Sequence, residues 1–379
     1  VRPTTVAIAG SGLAELTCAW LLAARGHRVR LRPRPTCGPR PLLLGDGTLA
    51  LLHALWGTEA EDGPATDSHR LTHRHARWAP DHDADPPLPQ PAAVVDGARL
   101  ALRLLARLAD RYPDVVSEEA DPEGPPDRPA RPDARVPHDP QSSPVLPSTP
   151  GRPVVHDAPV PPVPPDATVP QWTVTATPSD RIGAYRTAGR RHLLAGEAPC
   201  AAGAAGQDDT TARLECTDDA WLHLTPLGDG KALLQAMVPG PVEHPARHLG
   251  RLLARSPLAA RLAQPPATAV ALPAAPRLHR APATAPAGRT PGRLLVGAGA
   301  IRYDPLSGTG TAQALRTAVL AAAVIDSAAV GTPADRLCAH YAARLHTAFR
   351  DHLATCARLY PQAFPTRAWQ HELDACRSG

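Results

Sequence analysis

The stretch VAIAGSGLAELTCAWLLAARGHRVRLRP, residues 6–33, restricts this chain more than any other. It opens on a short apolar run and passes through a glycine turn. Leu13, Leu16, Ala19, Trp20 and Ala23 then recur at helical spacing before Gly26 stops the helix. HRVRL (27–31) alternates as a second parallel strand does. This is the βαβ order of a nucleotide-binding half-domain. Gly10 allows the tight turn, and Gly12 lets the backbone approach a pyrophosphate. Ser11, Leu13 and Ala14 complete the turn that leads into a helix N-terminus with free N–H groups. Two parts are exchanged. Glu15 stands where the third glycine of G-x-G-x-x-G belongs, and Pro33 stands where a ribose-binding acid belongs. Glu15 has two expected positions, facing solvent or repelling a diphosphate. Arg32 and Arg34 lie close to the expected adenosine edge.

At 379 residues the chain is long enough for two domains. Net charge is +4 with signs interspersed, so no block of like charge marks a nucleic-acid groove or a polybasic membrane anchor. The apolar stretch 318–325 is shorter than a bilayer span. Seven cysteines without a C-x-x-C favour free thiols and a cytoplasmic setting, and no basic leader precedes the first strand. The 47 prolines and the lone Lys231 reflect a coding bias more than a physical demand.

Pattern divides the chain further. Residues 36–57 read as loop and short helix, 73–78 as a strand, and 94–112 as an amphipathic helix capped by Asp96. Residues 113–170 lack periodicity and read as a proline-rich loop or disordered insert, with one strand near 154–155. Strands follow at 171–177, 190–196, 212–217, 220–227 and 231–239, the last two joined by a GDG hairpin. Helices are expected at 246–263, 310–330 and 333–360, with a strand into a glycine turn at 292–300.

The most specific segment is LLVGAGAIRYDPLSGTGTAQALRTAVLAAAVI (294–325). Asp304, Pro305, Gly308 and Gly310, with Thr309 between the glycines, resemble the C-terminal flavin motif of the FAD-dependent monooxygenase and tryptophan-halogenase-like superfamily. In that superfamily the strand-end aspartate falls at the position of Ala298 here, so its contact to the ribityl chain is lost. DAWLHLTPL (219–227) resembles a W-x-W-x-I-P segment, with Trp221, Pro226 and Leu227 fitting and His223 and Thr225 departing. YRTAGRR (185–191) resembles a D-A-T-G-R segment, with Arg186 in place of the acid. The C-terminus resembles that of quinone-cofactor-maturation monooxygenases.

The resemblance implies an α/β protein with a split Rossmann-like FAD-binding domain (1–112 and 291–330). It further implies an inserted antiparallel β-rich substrate domain (171–290) and a helical C-terminal segment (331–379). The cofactor implied is FAD. The cofactor-binding candidates are Gly10, Ser11, Gly12, Leu13, Ala14, Arg32, Ala298, Asp304, Pro305, Gly308, Thr309 and Gly310. The reaction implied is monooxygenation of an aromatic or indole-bearing substrate, small or peptidyl, with a separate flavin reductase as a further partner. His223 is the acid–base candidate, with Asp304 second. Lys231, in an expected exposed turn, is the sole candidate for a halogenase lysine. Three alternatives stand beside this reading: a non-catalytic partner or binding subunit, a halogenase, and an NAD(P)-binding reductase using Arg32 and Arg34. His69, His73, His75 and His82 read as a solvated loop and strand face rather than metal ligands, and Cys338 and Cys356 as packing residues.

Overall fold

The computed structural model describes residues 3–34, 41–57, 68–78, 86–117, 169–177, 184–201, 207–364 and 366–378. The chain begins with β1 (Thr5–Ala9), α1 (Leu13–Ala24) and β2 (Arg28–Arg32). It continues through β3 (Pro41–Gly45), α2 (Asp46–Trp56), β4 (His69–Arg77), β5 (Leu88–Asp96), α3 (Gly97–Arg111) and β6 (Val116–Ser117). The middle comprises β7 (Trp172–Thr175), β8 (Tyr185–Thr187), β9 (His192–Pro199), β10 (Thr211–Cys216), β11 (Trp221–Pro226), β12 (Lys231–Val238) and α4 (Pro245–Leu253). Short strands β13 (Val270–Pro273), β14 (Arg277–His279), β15 (Ala283–Thr284) and β16 (Gly292–Leu295) lead to α5 (Gly297–Ala300) and β17 (Ile301–Arg302). The helices α6 (Gly310–Ala329), α7 (Ala334–Ala363) and α8 (Arg367–Arg377) close the described chain.

Among the described residues the strands form three sheets. The first runs β15-β16-β7-β1-β2-β6, and its β16, β7, β1, β2 and β6 are parallel. The second has eight strands, β13-β9-β12-β11-β10-β4-β5-β3, antiparallel except where β4 meets β10. A third sheet has three strands, β17-β14-β8. The α/β class and the helical C-terminus agree with the sequence reading.

Sheet membership departs from the expected boundaries. Residues 172–175 belong to the first sheet, between β1 and β16, and not to the β-rich region. Conversely β3, β4 and β5 leave the N-terminal segment to form one edge of the second sheet. Sequence periodicity reports which faces are buried, not which sheet buries them, so an excursion of this kind is invisible locally. The expected helix at 246–263 is split, since Ser256 accepts from Leu258 N–H and starts a separate 3-10 turn at Pro257. The expectations for 118–168, including a strand near 154–155, and for His82 lie outside the described residues.

The core forms where α1 lies against α6. Leu16, Ala19 and Leu22 of α1 and Leu315, Ala318, Ala321, Ala322 and Ile325 of α6 are all fully buried in this core. Each buried leucine contributes roughly 1.5–3 kcal/mol. Helix α6 has 20 residues and passes the length and composition test for a membrane span, longer than the 318–325 run suggested. Here it packs against α1, α5 and α7. Tyr341 Oη donates to Leu295 O at 2.6 Å, and Gly297 N donates to Thr317 Oγ1 at 2.8 Å, tying α7 and α6 to the end of β16.

Candidate active site

Two glycine turns lead into helix N-termini, and they differ in what fills them. At the first, Gly10 has φ +130° and its N–H bonds Arg32 O. Ser11 Oγ donates to Arg34 O at 2.7 Å, so the tip of β2 is fastened to the turn. Glu15 neither faces solvent nor turns away from the glycines. It is 4% exposed, accepts Ala176 N–H at 2.8 Å and also accepts its own backbone N–H. A Cβ placed on Gly10 would stand 2.6 Å from Glu15 Oε1, and one on Gly12 would stand 2.7 Å from Oε2. The space that glycines leave for a pyrophosphate therefore holds the Glu15 carboxyl group, an acceptor at a helix N-terminus. Burial pushes the Glu15 carboxyl above its usual range, opposed by these N–H bonds and by Arg34. Leu13 is half-buried, Ala14 is buried in the core, and Arg32 is exposed.

The second turn is open. Asp304 caps a 3-10 turn, Pro305–Ser307, by accepting Leu306 N–H at 2.9 Å. Gly308 follows at φ +62°, a left-handed position that favours glycine. Neither Gly308 nor Gly310 has an atom within 4 Å of a Cβ built on it. Thr309 bonds Ser307 Oγ at 2.9 Å and makes no side-chain cap to α6, so its side chain leaves the first N–H groups of that helix uncapped.

Asp304 itself faces the core. Its Oδ2 accepts Arg191 Nε at 2.6 Å, and Arg191 Nη1 donates to Glu372 at 2.6 Å. Arg191 is fully buried and lies over the Tyr360 ring. The Asp304 N–H donates to His352 Nε2 at 2.9 Å, and burial holds that imidazole down to about 4. Asp304 thus positions the turn from behind and is not an acid–base group in the cavity. Sequence reasoning did not single out Arg191 or Glu372.

A cavity of about 720 Å³ separates the open turn from the second sheet. Residues Pro305 to Ala312 form one wall. Trp221, His223 and Thr225 of β11, Gln235 of β12, and Arg74 of β4 face it from the sheet. The cross-strand pairs His223↔Gln235 and His223↔Leu214 and the alternation along β11 place these side chains on one face. His223 bonds Thr225 Oγ1 at 3.1 Å and also Gln235. Burial pushes its pKa down to about 4, with Arg74 adding to the effect. It is therefore a neutral imidazole near pH 7, not the near-neutral titrating group expected from its residue type. Arg74 and Gln235 were not singled out from sequence, although alternation in HRHARW places Arg74 and Ala76 on one face.

The other candidates scatter. Arg186 approaches His346 Nε2 at 3.4 Å and lines a separate cavity with His279 and Arg280. Ala298 is exposed, and its carbonyl accepts from Arg277 at 3.3 Å. Lys231 pairs with Asp229 at 3.3 Å in the hairpin, away from the cavity wall. His69, His73 and His75 have separate partners in Asp209, Thr72 and Arg213. Cys356 sits 3.6 Å from His352 Nε2, and Cys376 3.7 Å from Arg191 Nη2, so both thiols join the buried polar group.

For FAD, the fit is divided. The open turn, the uncapped helix and the cavity suit a planar ring. The diphosphate seat does not fit while Glu15 remains in it. The obstruction is the far end of one flexible side chain, so its removal costs chiefly the Ala176 bond, about 1–3 kcal/mol.

No family model and no curated protein matches the chain. Solved structures do. The peptidyl tryptophan dihydroxylase QhpG, essential for tryptophylquinone cofactor biogenesis, superposes with a TM-score of 0.70 at 18% identity, covering 99% of this chain and 79% of that one. The myxobacterial chondrochloren halogenase CndH gives 0.69 at 16%, covering 98% and 86%. The probable FAD-dependent monooxygenase PqsL of Pseudomonas aeruginosa gives 0.63 at 15%, covering 100% of both. The chain has the fold shared by FAD-dependent monooxygenases and flavin-dependent halogenases.

Proposed function

We propose that the protein is a cytoplasmic FAD-dependent oxidoreductase of the monooxygenase type, acting on an aromatic group, free or peptidyl. The observation that carries this reading is the Asp304–Gly310 turn, which opens α6 onto the 720 Å³ cavity. QhpG and PqsL support the same chemistry by fold. The chain's own contributions are positional. The α6 N-terminus favours negative charge at the cavity wall. The sheet face holds the substrate against that wall, and neutral His223, held by Thr225 and Gln235, offers a fixed polar contact. A separate flavin reductase supplying electrons belongs to this reading. The halogenase alternative has no lysine on the cavity wall to support it.

Glu15 favours a second reading, an aromatic-ligand-binding subunit with no bound dinucleotide. Titration with FAD, followed by flavin fluorescence, separates the two. Weak binding by the parent and tighter binding by Glu15→Gly support the enzyme. Absence of binding by both overturns it in favour of the binding subunit.

A further inference from the structure

Behind the open turn, two thiols meet where α7 and α8 pack together. His352 and Cys356 lie one turn apart on α7, and Glu372 and Cys376 lie one turn apart on α8. Cys356 Sγ stands 3.6 Å from His352 Nε2, and Cys376 Sγ stands 3.7 Å from Arg191 Nη2. The two thiols are also within hydrogen-bonding reach of each other. Both are free and buried.

Among the described cysteines, Cys376 alone is shifted toward the thiolate. The hydrogen bond from Cys356 and the Arg191 guanidinium hold it down to about 7, against its burial. Burial pushes Cys18 and Cys216 up to about 12 and raises Cys200 and Cys338 as well. The bond to Cys376, together with burial, raises Cys356. One member of the pair therefore favours the charged form, and its neighbour keeps its proton. That is the pairing of an attacking thiolate with a resolving thiol. Cys376 also lies in the last turn of α8, where the terminal carbonyls have no intrahelical partner. Fraying of a helix end is among the least costly local openings, and it admits a reagent about the size of water.

We propose that Cys376 and Cys356 form a redox site that a hydroperoxide converts into a disulfide, tying α8 to α7. With hydrogen peroxide, the Cys376 thiolate attacks one oxygen and the O–O bond breaks. Cys376 becomes a sulfenic acid, and the departing oxygen takes up a proton and leaves as water. The Cys356 sulfur then attacks the sulfenic sulfur, and the S–O bond breaks. The hydroxyl leaves with the Cys356 proton as a second water. Two thiols lose two electrons, and one peroxide is reduced to two waters. The negative charge beside Arg191 is lost in the product, so the network behind Asp304 registers the change. The site goes beyond the flavin reading and does not depend on it.

The test treats the native full chain with hydrogen peroxide, blocks the remaining thiols with iodoacetamide in denaturant, and maps the peptides by mass spectrometry. A linked Cys356–Cys376 peptide pair should form and should separate on reduction with dithiothreitol. Cys356→Ser should leave Cys376 as a sulfenic acid that dimedone traps, whereas Cys376→Ser should leave Cys356 without the label. Recovery of both cysteines as iodoacetamide adducts overturns the proposal, as does a link that forms only when peroxide is added in urea. Equal dimedone labelling of the two single variants overturns the assignment of Cys376 as the attacking group. If the variants fail to fold, the peptide map of the parent decides.

Discussion

The turns at residues 10–15 and 304–310 are built on one plan: a strand end or short turn, glycines, then a helix N-terminus. One is closed by a carboxylate of its own helix, at 2.6 and 2.7 Å from the two glycine Cβ positions. The other has open space at both glycines. The open turn forms a cavity wall and is braced from behind by the Arg191–Asp304 pair. The closed turn holds the Glu15 carboxyl, which already accepts Ala176 N–H, so a diphosphate would enter only by displacing it.

The largest effect should come from removing the brace. Arg191→Met would leave Asp304 and Glu372 buried without their cation, and breaking a buried pair in this way costs about 3–5 kcal/mol. Urea unfolding would measure it. A loss below 1 kcal/mol, on the scale of exposed ion pairs, would show that the open turn does not depend on this network. Next is Gly310→Val, which adds bulk where nothing now stands. Affinity for FAD should fall about tenfold or more, roughly 1.4 kcal/mol, with the melting temperature near the parent's. Unchanged affinity would place the ring away from α6.

Why one turn was easier to read than the other follows from the range of the interactions. The βαβ start, the Asp96 cap and the 304–310 turn are local patterns, and each lies where its residues predict; Asp96 accepts the Ala98 and Arg99 N–H groups at 2.8 and 3.0 Å. Glu15 was legible as an exchanged residue but not in its direction. That direction depends on Ala176, 161 positions away. Arg191 reads as one of two adjacent basic residues, and only α8 and the 304–310 turn reveal that it is buried. Trp221 stood out through its motif, while the burial of its Nε1 without a partner among the described residues is a property of the assembled fold.

A third prediction addresses the closed turn directly. Glu15→Gly removes the carboxylate and restores a three-glycine turn, so FAD affinity should rise about five- to tenfold, within about 1.4 kcal/mol. Fluorescence titration would measure it. Equal or weaker binding would mean that the carboxylate is not what obstructs the seat.

The smallest effect concerns stability alone and asks whether the closed turn carries charge. The Glu15 carboxyl is raised above its usual 4.5 by burial. A group raised in this way contributes stability that is fully present below its unfolded value and is lost as pH rises through its folded value. Glu15→Gln keeps an acceptor for Ala176 N–H and removes the titration. The variant should therefore gain on the parent as pH rises above the ordinary carboxyl value of 4.5, by less than about 1 kcal/mol. His223 and His352, both depressed from 6.5 to about 4, act with the opposite sign. Each contributes stability present above 6.5 and lost as pH falls toward 4, but both are common to the two proteins and cancel in the difference. A difference between variant and parent that does not change with pH would mean that Glu15 is ionised in the folded and unfolded chain alike. Its N–H bonds would then fully offset its burial, and the seat would hold a permanent anion.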